Sequence, residues 1–167
     1  RLQSDTHSVI GAYNPHLKEN TAFLKFTEHF QDKGLAVPQV LATSLEEHIY
    51  IQEDLGDQTL YQLLPKEGEE FTSSLINYYR KAISQLVKLQ IIGDQDLDYQ
   101  YAYPRAAFDR QSIMWDLNTF KYYFLNFAKV VYDEQTLEED FERYTAYLLK
   151  VDTQYFMMRD CQSRNIM

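Results

Sequence analysis

The sequence predicts an α+β chain of two lobes, a small strand-rich segment followed by a helical one. Three observations carry that reading. Short apolar runs separated by turn signals fill residues 1–55, and apolar residues recur at helical spacing through most of residues 56–167. The composition shifts once, near residue 55, and neither an internal repeat nor a low-complexity segment interrupts the pattern. A chain of 167 residues is long enough to bury one real core.

Residues 8–13, Ser-Val-Ile-Gly-Ala-Tyr, form a short apolar strand, and Asn14-Pro15 then punctuates the chain. From Leu17 onward Phe23, Phe26 and Phe30 recur at helical spacing until Lys33-Gly34 stops the helix. Residues 39–43 and 48–54 read as two strands joined by a turn at Ser44-Leu45-Glu46-Glu47. A short helix over 57–64 follows Gly56, and a long one shows Phe71, Leu75, Tyr79, Ile83, Leu86 and Gln90 on one face, ending near Gly93. Residues 94–105 are polar and tyrosine-rich, an irregular insert. Leu117, Phe120, Phe124 and Phe127 define a helix face between about 108 and 129. The last helix is expected to open at Thr136 with a Thr136–Glu139 capping box, burying Leu137, Phe141, Tyr144, Leu148 and Val151. Residues 155–158 read as a short apolar strand.

The net charge of −9 disfavours non-specific nucleic-acid binding and binding to an anionic membrane surface, both of which need basic patches. Cys161 is the single cysteine, so no disulfide framework and no cysteine zinc site is expected. With no apolar run of membrane-spanning length, a cytoplasmic location is the default expectation. The 14 tyrosines read first as packing bulk; a sugar-stacking surface is the sharper alternative. His7, His16, His29 and His48 are scattered without metal-ligand spacing, and His29 is expected on an exposed helix face. Glu138, Glu139, Asp140 and Glu142 read as a solvated helix face.

The residues that point to chemistry are Arg159-Asp160-Cys161-Gln162-Ser163-Arg164-Asn165. They match the R-D-x-x-x-x-N part of a kinase catalytic loop, where the Asp accepts the proton of the attacking hydroxyl and the Asn holds magnesium. Phosphoryl transfer needs both functions, because the nucleophile must be oriented in line and the developing charge clamped. An exposed loop with a structural Asp and Asn is the competing reading. A second stretch, Ile49 to Gly56, is a strand entering an acidic connector, as a kinase hinge does; backbone groups around Glu53, Asp54 and Leu55 would bind the adenine edge. A plain strand end with a solvated turn is the alternative there.

The order of these pieces resembles the aminoglycoside/choline phosphotransferase superfamily, a protein-kinase-like fold. Within it the chain looks most like bacterial cell-wall amino-sugar kinases acting on N-acetylmuramate or N-acetylglucosamine. Val37 to Ala42, Glu53 to Asp57, the helix with Phe108-Asp109, Trp115-Asp116-Leu117 and Phe120, and Phe156 to Met167 carry the likeness. The resemblance implies a partial N-lobe over 1–55 and a partial C-lobe over 56–167, truncated at both ends. It implies ATP and Mg2+ as cofactors, Asp160 as the base, Asn165 as a metal ligand, Glu53, Asp54 and Leu55 along the adenine, and Asp116 and Arg164 toward the sugar. A further metal-binding Asp would follow Met167, and a phosphate-covering turn would precede Arg1. The strand at 8–13 lacks the lysine that a protein kinase pairs with the ATP phosphates. Three functions therefore stand side by side: an amino-sugar kinase, a kinase for a cationic alcohol such as an aminoglycoside or choline, which Asp94, Asp96 and Asp98 would suit, and a non-catalytic nucleotide-binding pseudokinase.

Overall fold

The computed structural model describes residues 1–66 and 70–167. Strands β1 (Leu2–Gln3), β2 (Ser8–Tyr13), β3 (Val40–Ser44) and β4 (Ile49–Glu53) form one sheet in the order β1-β2-β4-β3, every pair antiparallel. Helix α1 (Leu17–Asp32) is inserted between β2 and β3, and the chain then returns β4 to the middle of the sheet against both. The expected α+β class and the strand, helix, strand, strand order are therefore present. The two-residue strand β1 was not expected; it is too short to show a period.

Residues 1–104 and 156–167 make one compact unit, and residues 105–155 a second. The change from strands to helices near residue 55 falls inside the first of these.

In the first unit the entry to α1 is held by Asn14, whose side chain accepts from the His16 N–H at 3.0 Å and whose carbonyl accepts from buried Asn20 at 2.8 Å. Helix α1 meets the sheet through Phe23, whose ring stacks on Tyr50 of β4 at 4.9 Å. Its far end enters the core: Phe30, Leu35, Leu89 and Leu97 are buried together, with Phe26, Val37, Ile92, Tyr99 and Phe156 packed around them. Helix α2 (Ser73–Ile91) starts at Thr72, whose hydroxyl accepts from the Leu75 N–H, and buries Leu75 and Leu89. The expected stripe on α2 is correct at Leu75 and Leu86 but not at Phe71 and Ile83, which are exposed. The buried face shifts to Ala82, Leu86 and Leu89 because Leu89 must reach Phe30 and Leu97.

Just past α2, Gly93 is required by a close approach. A Cβ there would lie 2.3 Å from the Leu89 carbonyl oxygen and 3.0 Å from the Phe30 ring. The Gly93 carbonyl contacts a ring nitrogen of His29 at 2.8 Å, so His29 is half-buried and engaged rather than exposed as expected. The insert at 94–105 is also more ordered than its composition suggests. Leu97 and Tyr99 join the core, and residues Tyr99–Tyr101 make a 3-10 turn.

In the second unit, α3 (Arg110–Phe120) is capped by Asp109 and α4 (Glu134–Leu148) by Asp133, each accepting from the N–H three residues on. The cap of α4 is thus Asp133 and not Thr136, whose own N–H donates to Asp133 at 2.8 Å. A π-helical turn, Lys121–Leu125, follows α3 and rotates its face. Phe120, Phe124 and Phe127 point outward, the first two stacked at 5.3 Å, while Ser112, Ile113 and Lys121 are buried. On α4 the buried residues are Phe141 and Thr145 rather than Tyr144 and Val151, and Thr145 faces the Met114 sulfur at 3.4 Å. Buried Lys121 is satisfied by Glu134 and by Glu138 at 2.6 Å, which hold its ammonium well above the usual lysine range. Glu138 is therefore an ion-pair partner and not only part of a solvated face. Among the described residues no helix is long and apolar enough to cross a membrane.

Candidate functional site

The segment leading into Asp160 is not a strand. Residues 155–158 run as an irregular bend, with Tyr155, Met157 and Met158 exposed. One side chain anchors it. Phe156 packs edge-on against Phe30 at 5.3 Å and Phe26 at 6.5 Å, which fixes the segment to α1.

Beyond that anchor, residues 160–165 close into a compact turn. Asp160 has φ of +55°, the left-handed region that an Asp tolerates at a cost in strain. That conformation turns its carbonyl inward, where it accepts from the Gln162 N–H at 2.8 Å and from the Asn165 side-chain amide at 2.9 Å. The Asn165 N–H donates in turn to the Gln162 carbonyl at 2.8 Å, completing the 3-10 turn Ser163–Asn165. Two consequences matter chemically. Because Asn165 Nδ2 is committed to Asp160, its Oδ1 is the atom left to face a ligand. The Asp160 carboxylate is exposed and, among the described residues, meets no cation and no donor. An amide oxygen and a carboxylate on one turn suit a hard divalent cation such as magnesium, which takes oxygen ligands and retains several waters. Among the described residues no group of three His, Cys, Asp or Glu could hold a metal.

The turn is tied from its other side to the chain that follows β4. The Leu60 N–H donates to the Ile166 carbonyl at 2.8 Å, and the Arg164 guanidinium lies 4.2 Å from the centre of the Tyr61 ring. Leu60 is buried, and the 3-10 turn Leu60–Leu63 is fixed by Thr59 and Gln62, whose amide oxygen accepts from the Thr59 N–H at 2.8 Å.

The connector after β4 is itself clamped. Glu53 exchanges two bonds with Gln39, its N–H donating to the Gln39 carbonyl at 2.8 Å and its carboxylate accepting from the Gln39 N–H at 3.2 Å. The Asp54 carboxylate, with only 7% of its side chain exposed, accepts from the Ser8 hydroxyl, from the Gly56 N–H at 3.0 Å and from Arg1. Those bonds, Ser8 first, hold its carboxyl below the usual carboxylate range. Gly56 turns the chain at φ of +89°, a conformation glycine adopts without steric cost. Arg1 also bridges to Asp57 at 2.7 Å, which lowers the Asp57 carboxyl and raises the guanidinium. Leu55 stands apart: its side chain is exposed, and no hydrogen bond within the described residues uses its backbone N–H or C=O. Asp54 likewise uses only its carboxylate in these bonds, so Leu55 and Asp54 both leave their backbone edge open and Leu55 differs by its exposed side chain.

The structure thus gathers Asp160, Arg164 and Asn165 on one turn, with Glu53, Asp54 and Leu55 in the same compact unit. Asp116 lies on α3 in the second unit. Sequence reasoning missed Tyr61, the Ser8 and Arg1 partners of Asp54, and Asp57 as the second carboxylate on Arg1. Tyr61 carries no local signal, since a tyrosine in a short apolar turn reads as packing; its role depends on a partner far along the chain. Comparison with protein-family models, with curated proteins and with solved structures finds no match to this chain.

Proposed function

We propose that the chain belongs to an ATP-dependent kinase that phosphorylates a hydroxyl of a small molecule, an amino sugar of the N-acetylmuramate or N-acetylglucosamine type. The observation that carries this reading is the Asn165 amide bond to the Asp160 carbonyl. It gives the four-residue spacing a use: one turn holds an exposed carboxylate that meets no cation among the described residues and an exposed asparagine whose amide oxygen is left for a ligand. The substrate hydroxyl attacks the γ-phosphorus in line, its proton passes to Asp160, and the bond between the γ-phosphorus and the bridging oxygen breaks to release ADP. Magnesium, when bound with Asn165 Oδ1 among its ligands, supplies charge neutralisation of the phosphates. The Leu55 backbone edge is the natural partner for adenine, while Glu53 and Asp54 stiffen the connector on either side of it. Arg164 is the candidate in this unit for a contact to the acceptor.

Two alternatives separate on observations. A cationic substrate is disfavoured because the acidic insert is used internally: Asp94 accepts from the Tyr99 hydroxyl at 2.5 Å, Asp96 pairs with Lys33 at 3.2 Å, and Asp98 accepts from the Gln100 N–H at 3.0 Å. A non-catalytic nucleotide-binding module is favoured by one feature. Strand β2 contains no lysine, and Lys25 on the following helix pairs with Glu28 at 3.0 Å. The deciding experiment follows magnesium-dependent ADP release with N-acetylmuramate, N-acetylglucosamine, choline and kanamycin, for wild type and Asp160→Asn. Turnover on an amino sugar that the variant loses supports the kinase; ATP binding without turnover on any acceptor supports the non-catalytic module. Failure to bind ATP removes both.

A further inference from the structure

Arginine in this acidic chain is nearly always consumed by the chain itself. Arg1 pairs with Asp54 and Asp57, Arg105 with Asp109, Arg110 with Glu142, and Arg143 with Asp140. Arg80 donates to Asn77 at 3.4 Å, and Arg159 is engaged within the chain. Arg164 differs. Among the described residues its guanidinium meets no carboxylate and no carbonyl; its one partner is the face of Tyr61, at 4.2 Å. With 25 acidic residues against 16 basic ones, an unclaimed guanidinium is unusual here. A cation–π contact uses none of the guanidinium N–H donors, which stay available, and it sets the position of the cation in advance of binding. Tyr61 is in turn fixed by the 3-10 turn that Thr59 and Gln62 close, and the neighbouring Leu60 is bonded to Ile166. The segment bearing the ring is therefore bound to the segment bearing the cation, which lies one residue before Asn165.

We propose that Arg164, held over the Tyr61 ring, binds an oxyanion, a carboxylate or phosphate group carried by one of the two reactants, and that Tyr61 is its positioning residue. The chemistry is the two-pronged hydrogen bonding of a guanidinium edge to paired oxygens. Assignment of that oxyanion to a reactant rests on the kinase reading of the turn; the anion binding itself does not. It deepens that reading by predicting that one reactant contacts the turn through charge as well as through its hydroxyl.

The test is equilibrium calorimetry on the full chain with three probes: inorganic triphosphate, N-acetylmuramate, and N-acetylglucosamine, which lacks the carboxylate of the second. Arg164→Met removes the charge and keeps the stem, Tyr61→Phe keeps the ring, and Tyr61→Leu removes it. Both positions are exposed, and unchanged circular dichroism and melting confirm that the variants fold. Arg164→Met is expected to weaken one anionic probe by about tenfold or more, with N-acetylglucosamine unaffected. Tyr61→Leu follows it part of the way, and Tyr61→Phe binds as wild type. Loss on triphosphate identifies a nucleotide phosphate as the source; loss on N-acetylmuramate identifies an acceptor carboxylate. Equal affinities of wild type and Arg164→Met for all three probes, or no binding of either anion by wild type, overturn the proposal. A Tyr61→Phe variant as weak as Tyr61→Leu overturns the positioning role. Because no turnover is needed, anion binding that depends on Arg164 in a chain without kinase activity would sink the kinase reading and leave this one standing.

Discussion

Replacing Phe156 with alanine tests whether the candidate site is anchored to the core as described. Phe156 is half-buried and sits against the rings of Phe30 and Phe26 at 5.3 and 6.5 Å, beside a cluster that includes buried Leu35, Leu89 and Leu97. Removing a fully buried phenyl ring costs about 3–5 kcal/mol. Partial exposure of this one reduces that to about 1.5–2.5 kcal/mol, into which the loss of two edge-on ring contacts, about 0.5–1.5 kcal/mol each in well-formed pairs, brings the upper end. A loss of about 2 kcal/mol follows, or roughly 4–8 °C in melting temperature for a chain of 167 residues. Phe156→Leu should recover about half. Urea denaturation gives the free energy, and limited proteolysis of the folded protein reads the local effect. Cleavage should appear between residues 152 and 160, because Phe156 is the only half-buried side chain in that stretch. A loss below about 0.5 kcal/mol, or an unchanged cleavage pattern, would refute the claim that this side chain ties the 160–165 turn to α1.

Gly93→Ala should cost about 1–3 kcal/mol, since its Cβ collides with the Leu89 carbonyl and crowds Phe30; a melting temperature equal to wild type would show that the junction is not tight. The carboxyls of Asp54, Asp57, Asp109 and Asp133 are all held below their ordinary values. Unfolded carboxyls bind protons near pH 4, so the stability these groups contribute is fully present above about pH 4 and is lost as pH falls through their folded values. Thermal unfolding at about pH 6, 4 and 2.5 should show that loss, and Asp54→Asn should flatten its acid limb without moving the plateau slope; an unchanged limb counts against the Ser8 and Gly56 bonds. Asn165→Asp keeps an oxygen for magnesium but cannot donate to the Asp160 carbonyl. It should raise the magnesium requirement and lower kcat/KM by about 10–100-fold, and wild-type kinetics in that variant would detach the turn from catalysis.

How much of this was legible beforehand depends on the range of the forces involved. Strands β2, β3 and β4 and helix α1 were readable within a residue or two, because β-branched runs, the Asn14-Pro15 break and the phenylalanine spacing are local signals. The α3 face was misjudged around a π-helical turn, where the pitch changes after Phe120: Phe120 and Phe124 are exposed and Lys121 is buried. Periodicity assumes a constant pitch and cannot see that change. The cap of α4 was misplaced by one turn because Asp133 and Thr136 are both competent caps, and the choice is made by where the preceding chain arrives. At the site, the spacing of Asp160 and Asn165 was visible as a motif, yet the bond that explains the spacing runs to a backbone carbonyl and leaves no trace in residue identity. Tyr61 and Arg1 were invisible for a stronger reason: their partners lie far along the chain, and a single sequence contains no information on such pairs.

The geometry of Asp160 argues for more than a structural loop. The left-handed conformation alone does not single Asp160 out, because His48, Asp96 and Lys129 share it; what differs is the use made of it. The strain here holds one carbonyl under two hydrogen bonds, and it leaves the carboxylate beyond that carbonyl fixed at its root and unpaired at its tip. Structural aspartates in this chain show the opposite arrangement. Asp54, Asp109 and Asp133 each accept from a backbone N–H and from a neighbouring side chain. A carboxylate rigidly held but unsatisfied is what proton acceptance requires, because a partner at its oxygens would compete with the incoming proton. A nucleotide-binding module has no use for that combination. On the proposed kinase reading the missing lysine on β2 would weaken phosphate binding, whereas the unpaired Asp160 would bear on the transfer step. The two readings therefore divide on kcat, and Asp160→Asn is the substitution that decides between them.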